Sequence, residues 1–113
     1  MEWVDPFGLE KKIRVRHYTN RKGSNGIEES RKIIARDNNR IYVESASKKP
    51  LSPVEAEGKY QLKPGKSKDY VEFDVSESKT EWVENPRYHT DELTIKGDFE
   101  LDDDCNLKVT RRR

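Results

Sequence analysis

Residues 69–75, DYVEFDV, decide the fold class. Tyr70, Glu72 and Asp74 alternate with Val71, Phe73 and Val75, a period of two that sets polar and apolar side chains on opposite faces of a strand. A weaker form of the same pattern lies on either side. Downstream, residues 91–96 (DELTIK) turn Leu93 and Ile95 to one face, Gly97 turns the chain, and residues 98–102 (DFELD) form another strand. Residues 106–110 allow a last short one. Upstream, residues 12–18 (KIRVRHY) alternate around Ile13 and Val15, and residues 40–45 (RIYVES) make a further strand.

Two segments break this period. Residues 23–35 (GSNGIEESRKIIA) read as a helix. Ser24 or Asn25 can cap it, Glu28 and Glu29 favour its start, Arg31 and Lys32 its end, and Ile27, Ile33 and Ile34 form its buried face. Residues 52–60 (SPVEAEGKY) open on a Ser-Pro helix entry and make a second short helix. Pro64 and Gly65 form a turn, and residues 79–90 read as a loop anchored by Trp82. Strands outnumber helices, and helix follows strand only near the start. The expected fold is α+β: a small, mostly antiparallel sheet with two short helices.

The 113 residues suffice for one domain. Hydrophobic residues are 31% and charged residues 40%, which predicts a thin core and long solvated loops. The charges nearly cancel, 23 basic against 22 acidic, and the apolar residues cluster, so the chain is expected to fold. A net charge of +1 gives no global attraction to nucleic acid or membrane. Cys105 is the only cysteine, which excludes an internal disulfide. No stretch approaches the roughly 18 apolar residues of a membrane span, and residues 1–10 lack the apolar run of a signal peptide. The expected state is a monomer without membrane contact.

Among residues suited to chemistry, His17 stands near the end of the first strand, before a helix. A histidine there can offer one ring nitrogen while backbone holds the other, which suits a ribose hydroxyl. Metal binding is disfavoured: there are one cysteine and two histidines, and the aspartates at 102–104 are consecutive rather than spaced as ligands. No Gly-rich phosphate loop of standard form occurs. Cys105 lies in an acidic tail that blunts it as a nucleophile.

Two resemblances add to this reading. Residues 3–9 (WVDPFGL) resemble the D-P-x-G-L signature that ends the conserved core of Rhs and YD-repeat proteins. In those proteins a variable toxin follows the signature and is released by proteolysis. The resemblance implies that residues 1–10 are the end of a repeat-protein core or a linker, and that residues 11–113 are a toxin domain. Second, Arg16-His17-Tyr18-Thr19 followed by residues 23–33 (GSNGIEESRKI) resembles the opening of ADP-ribosyltransferase-like toxins, in particular their His-Tyr-Asp class. The order of later elements is similar over residues 14–102.

The second resemblance implies NAD as substrate. His17 and Thr19 then bind the nicotinamide-side ribose, and Tyr42 stacks on nicotinamide, with Tyr18 and Tyr70 as alternatives. Cleaving the nicotinamide–ribose bond builds positive charge on the sugar, which a nearby carboxylate stabilises. Glu92 is the first candidate for that acid and Asp91 the second; Glu72 and Asp74 share one face of their strand and remain open. Arg14 or Arg16 is expected to meet the pyrophosphate, since a guanidinium suits paired phosphate oxygens. The chain departs from the family pattern after its second strand, where Glu44-Ser45-Ala46-Ser47 stands in place of a Ser-Thr-Ser run.

The implied function is a toxin that cleaves NAD and transfers ADP-ribose to a macromolecular target, with residues 76–90 as the target-recognising segment. Other readings are an NAD glycohydrolase, a ribonuclease using His17 and His89 as acid and base, and a non-enzymatic binding module. The toxin class also implies a cognate immunity protein as partner, secretion as cargo of a larger protein, and action in the cytoplasm of a target cell.

Overall fold

A computed structural model describes residues 11–36, 39–60, 62, 65, 67–85 and 90–112. In chain order these form β1 (Lys12–Thr19), α1 (Arg21–Ser30), β2 (Lys32–Ile33), β3 (Arg40–Ser45), α2 (Pro53–Tyr60), β4 (Asp69–Ser76), β5 (Thr80–Asn85), β6 (Thr90–Lys96), β7 (Phe99–Glu100) and β8 (Lys108–Thr110). Six strands make one sheet in the order β5-β6-β3-β1-β4-β8, and β2 pairs with β7 in a small second one. Every pairing is antiparallel. The fold is the expected α+β one, with two helices and an antiparallel sheet.

The first strand is central because its alternation serves two layers at once. On one face Val15 lies beside Phe73 across β4, and Val43 beside Leu93 across β3 and β6. This face carries the core, closed by Ile27 of α1, Ile33 of β2 and Phe99 of β7. The Phe73 and Phe99 rings stack with centroids 5.4 Å apart. On the other face Arg16 lies between Glu44 and Glu72, and Tyr18 lies beside Tyr70. Helix α2 covers this polar face, with Ala56 fully buried and Tyr60 against the ring of Tyr18.

The first helix differs from expectation at both ends. It begins at Arg21, not Gly23, because Asn20 caps it: the Asn20 side-chain oxygen accepts from the Gly23 N–H at 2.7 Å. It ends at Ser30 because Arg31 takes a left-handed conformation, φ 58°, and returns its N–H to the Ile27 carbonyl at 2.8 Å. The Arg31 carbonyl then accepts from Leu101, so Lys32 and Ile33 run on as strand beside β7. Ile33 is buried, but Ile34 is 52% exposed and is no part of a buried helical face.

Residues 80–85 are strand rather than loop. Trp82 lies opposite Leu93 at the sheet edge and is 65% exposed, so it anchors nothing. Gly97 turns the chain between β6 and β7 with φ +75°, as expected, and Gly65 also has a positive φ. Pro64, His89 and the 3–9 signature lie outside the described residues.

The tail crosses the polar side. The Arg112 guanidinium donates to the carbonyls of Leu51, Ser67 and Lys68 and lies over the rings of Tyr18 and Tyr70.

Candidate active site

The last turn of β1 brings a histidine and a threonine against the start of α1. Thr19 ends the strand, Asn20 caps the helix, and Gly23 sits in its first turn. A β-carbon at Gly23 would lie 1.9 Å from Thr19 Oγ1, so only glycine lets the helix approach that hydroxyl. Two residues back on the same face, His17 places Nδ1 3.0 Å from the Tyr42 carbonyl oxygen. A carbonyl only accepts, so Nδ1 carries the hydrogen and donates. That leaves Nε2 as the acceptor nitrogen of a neutral ring.

The environment keeps the ring neutral. Burial lowers the His17 pKa below its ordinary 6.5, the bond to the Tyr42 carbonyl opposes this, and the positive charge of Arg36 lowers it further. A neutral imidazole with one fixed nitrogen and one free acceptor can hold a hydroxyl.

The other expected site residues divide between the two faces. Asp91 is exposed, opposite Glu84 of β5, and shares the parity of Leu93 and hence the face of His17. Glu92 takes the opposite face and is 6% exposed, its carboxylate accepting from the Thr90 hydroxyl at 3.5 Å. Tyr42, opposite Thr94, is also on the polar face, and meets His17 through its backbone alone.

Tyr18, Tyr70, Arg14, Arg16, Glu72 and Asp74 occupy that polar face as well. Arg16 is 2% exposed; it donates to Glu44 at 2.7 Å, to Glu72 at 2.8 and 3.0 Å, and to the Ala46 and Lys48 carbonyls. Burial opposes its charge, but the two carboxylates outweigh this and raise its pKa. Arg14 donates to Asp74 at 3.0 Å and to the Asn106 carbonyl at 2.9 Å. Both guanidiniums are turned to internal partners, on the face opposite His17. Tyr18 is buried too: its hydroxyl donates to Glu44 and accepts from the Leu51 N–H, both at 2.7 Å. Burial and the neighbouring Glu44 push its pKa up to about 12, and no ring face is open for stacking, since Tyr60, Tyr70 and Arg112 surround it.

Glu44 and Tyr60 were not singled out from the sequence. Glu44 takes two donors on one oxygen, from Arg16 and Tyr18, while Lys59 stands 3.8 Å from the other. Only the pairing of Arg16 with Glu44 reveals this role, and pairing is not written in either strand alone. Cys105 is buried, and burial first raises its thiol pKa, consistent with an inert cysteine.

A family model described as HYD1 signature containing ADP-ribosyltransferase, Tox-ART-HYD1, matches residues 15–103. The chain belongs to the Tox-ART-HYD1 family. The match runs from Val15, inside β1, to Asp103, where the 3-10 turn Asp103–Cys105 begins, so it contains most of β1, β2 to β7 and both helices. As a Tox-ART-HYD1 member the chain is a toxin ADP-ribosyltransferase domain, an enzyme of the transferase kind. No curated protein and no solved structure gave a match.

Proposed function

We propose that this domain cleaves NAD at the nicotinamide–ribose bond and passes ADP-ribose to a macromolecular target. The observation that carries the reading is His17, held neutral on the Tyr42 carbonyl inside a chain of the Tox-ART-HYD1 family. In this reading Nε2 of His17 and the Thr19 hydroxyl hold the ribose beside the scissile bond. The C1′–N bond breaks, its electron pair leaves with neutral nicotinamide, and positive charge appears on the ribosyl carbon. A carboxylate steadies that charge, and a nucleophile on the target bonds to C1′ as it gives up its proton.

Asp91 and Glu92 divide as candidates for the carboxylate. Asp91 shares the face of His17, two strands away, roughly 10 Å at sheet spacing, and is open to solvent. Glu92 faces Tyr42's side and is enclosed. The geometry favours Asp91 for a sugar held by His17, whereas Tyr42 as a stacking residue favours Glu92. Delivery as cargo of a larger protein, restraint by a cognate immunity protein and action in a target-cell cytoplasm belong to the same proposal, supported by the sequence resemblance.

The test is nicotinamide release by the purified domain. Wild type is expected to release it, and His17→Ala to lose on the order of 100-fold in rate, the scale of one well-placed polar group. Asp91→Asn and Glu92→Gln measured side by side identify the acid. Labelled ADP-ribose appearing on protein or nucleic acid from a lysate marks transfer; label appearing only as free ADP-ribose marks hydrolysis instead. The pH profile has a stated sign. Because the His17 pKa is lowered from 6.5, activity should hold at pH 6.5 and fall only as pH passes the depressed value. An enzyme half-inactive already above pH 6.5 on the acid limb would contradict the neutral-His17 role.

A further inference from the structure

We infer that Asp69, together with the tail bonded to it, is a positioning residue of the candidate site: it holds the first turn of α1 against the Thr19 hydroxyl. The inference rests on the NAD reading above, in which that hydroxyl meets the ribose. It starts from how little holds α1 down. The helix buries two side chains, Ser24 and Ile27. Ile27 joins the apolar core and fixes the second half of the helix. The first turn, where Gly23 faces Thr19 Oγ1, is left to Ser24, a fully buried polar side chain.

Asp69 supplies the partner. It opens β4 opposite Thr19 in the β1–β4 register and is fully buried. As register partners the two side chains share one face of the sheet. The Ser24 hydroxyl lies 2.9 Å from Asp69 Oδ2 and 3.0 Å from the Arg21 carbonyl. It has one hydrogen to give, and the carboxylate is the stronger acceptor. Arg21, the first residue of α1, donates to the same carboxylate through Nε at 2.6 Å. Two residues one turn apart are thus pinned to a single strand residue. A β-carbon at Gly23 would fall 1.9 Å from Thr19 Oγ1, so the helix lies closer to that hydroxyl than a side chain would allow. Whatever sets the depth of this approach sets the place of the hydroxyl.

The tail completes the clamp. The Arg112 N–H donates to Asp69 Oδ1 at 3.1 Å, and the Arg112 carbonyl accepts from Arg21 Nη2, also at 3.1 Å. The Arg111 guanidinium donates to Asn25 Oδ1 at 2.8 and 3.1 Å and to Glu28 at 2.9 Å. Arg21, Ser24, Asn25 and Glu28 are spaced i, i+3, i+4 and i+7, which is one stripe of a helix. The strand and the tail therefore grip α1 along a single line, and they meet on the Asp69 carboxylate. None of these groups has to touch the substrate; they act through Thr19.

The experiment uses the whole domain and steady-state nicotinamide release from NAD. Wild type is compared with Asp69→Asn, Ser24→Ala, Arg111→Gln, Thr19→Ala and the double variant Ser24→Ala/Thr19→Ala, each at a temperature where circular dichroism shows it folded. Ser24→Ala and Asp69→Asn should each lower kcat/KM about 10-fold, the scale of one lost hydrogen bond to a charged group. Arg111→Gln, which breaks only an exposed tie, should lower it about threefold. In the Thr19→Ala background the Ser24→Ala step should cost less than about twofold, because the group it positions is gone. The Thr19 methyl signal, followed by NMR without NAD, should shift in Ser24→Ala while the Val43 methyl signals stay in place; a loss of stability alone moves neither. Wild-type kcat/KM in Ser24→Ala overturns the inference, as does wild-type kcat/KM in Thr19→Ala. A Ser24→Ala cost that is the same with and without Thr19 overturns it too, since the effect would then run through another group. A wild type that releases no nicotinamide removes the NAD reading and the inference with it, and that outcome shows before any variant is made. An active wild type beside a fully active Ser24→Ala removes the inference alone.

Discussion

The two faces of the central sheet are built on opposite principles. One face is closed by aliphatic and aromatic side chains, and its stability is nondirectional: Phe73, Val71 and Val15 gain by being out of water wherever they pack. The other is closed by charge. Arg16 sits 2% exposed between two carboxylates, under tyrosines and α2. There the removal of charges from water is offset only if every partner is present. This composition, poor in apolar residues, yields one true core and one polar layer that depends on completeness. The histidine of the candidate site lies where the apolar face ends.

The largest test of that contrast is Arg16→Met. It leaves Glu44 and Glu72 facing a buried apolar chain, and should cost about 3–5 kcal/mol, the usual penalty for orphaning one side of a buried pair. That is a large part of the stability of any small domain. Urea unfolding measures it; a loss below about 1 kcal/mol would mean that water reaches this layer and that the contrast between faces is overstated.

Next comes Asp69, fully buried at the margin of the apolar face. It accepts from Arg21 at 2.6 Å, Ser24 at 2.9 Å and the Arg112 N–H at 3.1 Å. Burial opposes its ionisation, but these donors win and hold its carboxyl below the usual range. Asp69→Asn should cost about 1.5–3 kcal/mol at pH 7. The sign with pH follows from a depressed carboxyl. The stabilisation is present above the unfolded value, about pH 4, and is lost as pH falls through the folded one. Acid unfolding curves of variant and wild type should therefore converge below pH 4; parallel curves would show that Asp69 stabilises by packing alone.

The smallest expected effect is Gly23→Ala. An alanine favours a helix by about 1 kcal/mol over glycine, yet here its β-carbon meets Thr19 Oγ1. Overpacking of this kind costs about 1–3 kcal/mol, so the net change in stability should be near zero or slightly negative. The larger consequence is a displaced Thr19 hydroxyl, read as a loss of NAD cleavage without unfolding. A variant that is more stable and fully active would show that Thr19 has room to move and that the close approach is incidental.

How much of this was legible depends on the range of the forces involved. Residues 69–75, 40–45 and 12–18 were readable because alternation is a local signature of a sheet buried on one side. Residues 80–85 were not. In TEWVEN neither Thr80, Trp82 and Glu84 nor Glu81, Val83 and Asn85 make an apolar set, as befits an edge strand that no layer covers. The early stop of α1 was hidden because Arg31 turns left-handed in answer to Leu101, 70 residues away. His17 was visible from its place at a strand end and its neighbours Tyr18 and Thr19. The roles of Arg14 and Arg16 could not be read, because whether an arginine is free depends on what stands across the strand, and register is set by the whole sheet.

The Arg112 latch also bears on time. The strand at the middle of the sheet, β1, comes early in the chain, but its partner β4 lies some 55 residues later and β8 closes beyond that. Such distant pairings must close large loops before they are rewarded. Tyr18 and Tyr70, beside α2, are then overlaid by the guanidinium of residue 112. A chain that emerges from β1 onward therefore completes its polar layer only when residue 112 is present. The fold becomes a unit late, and as a whole.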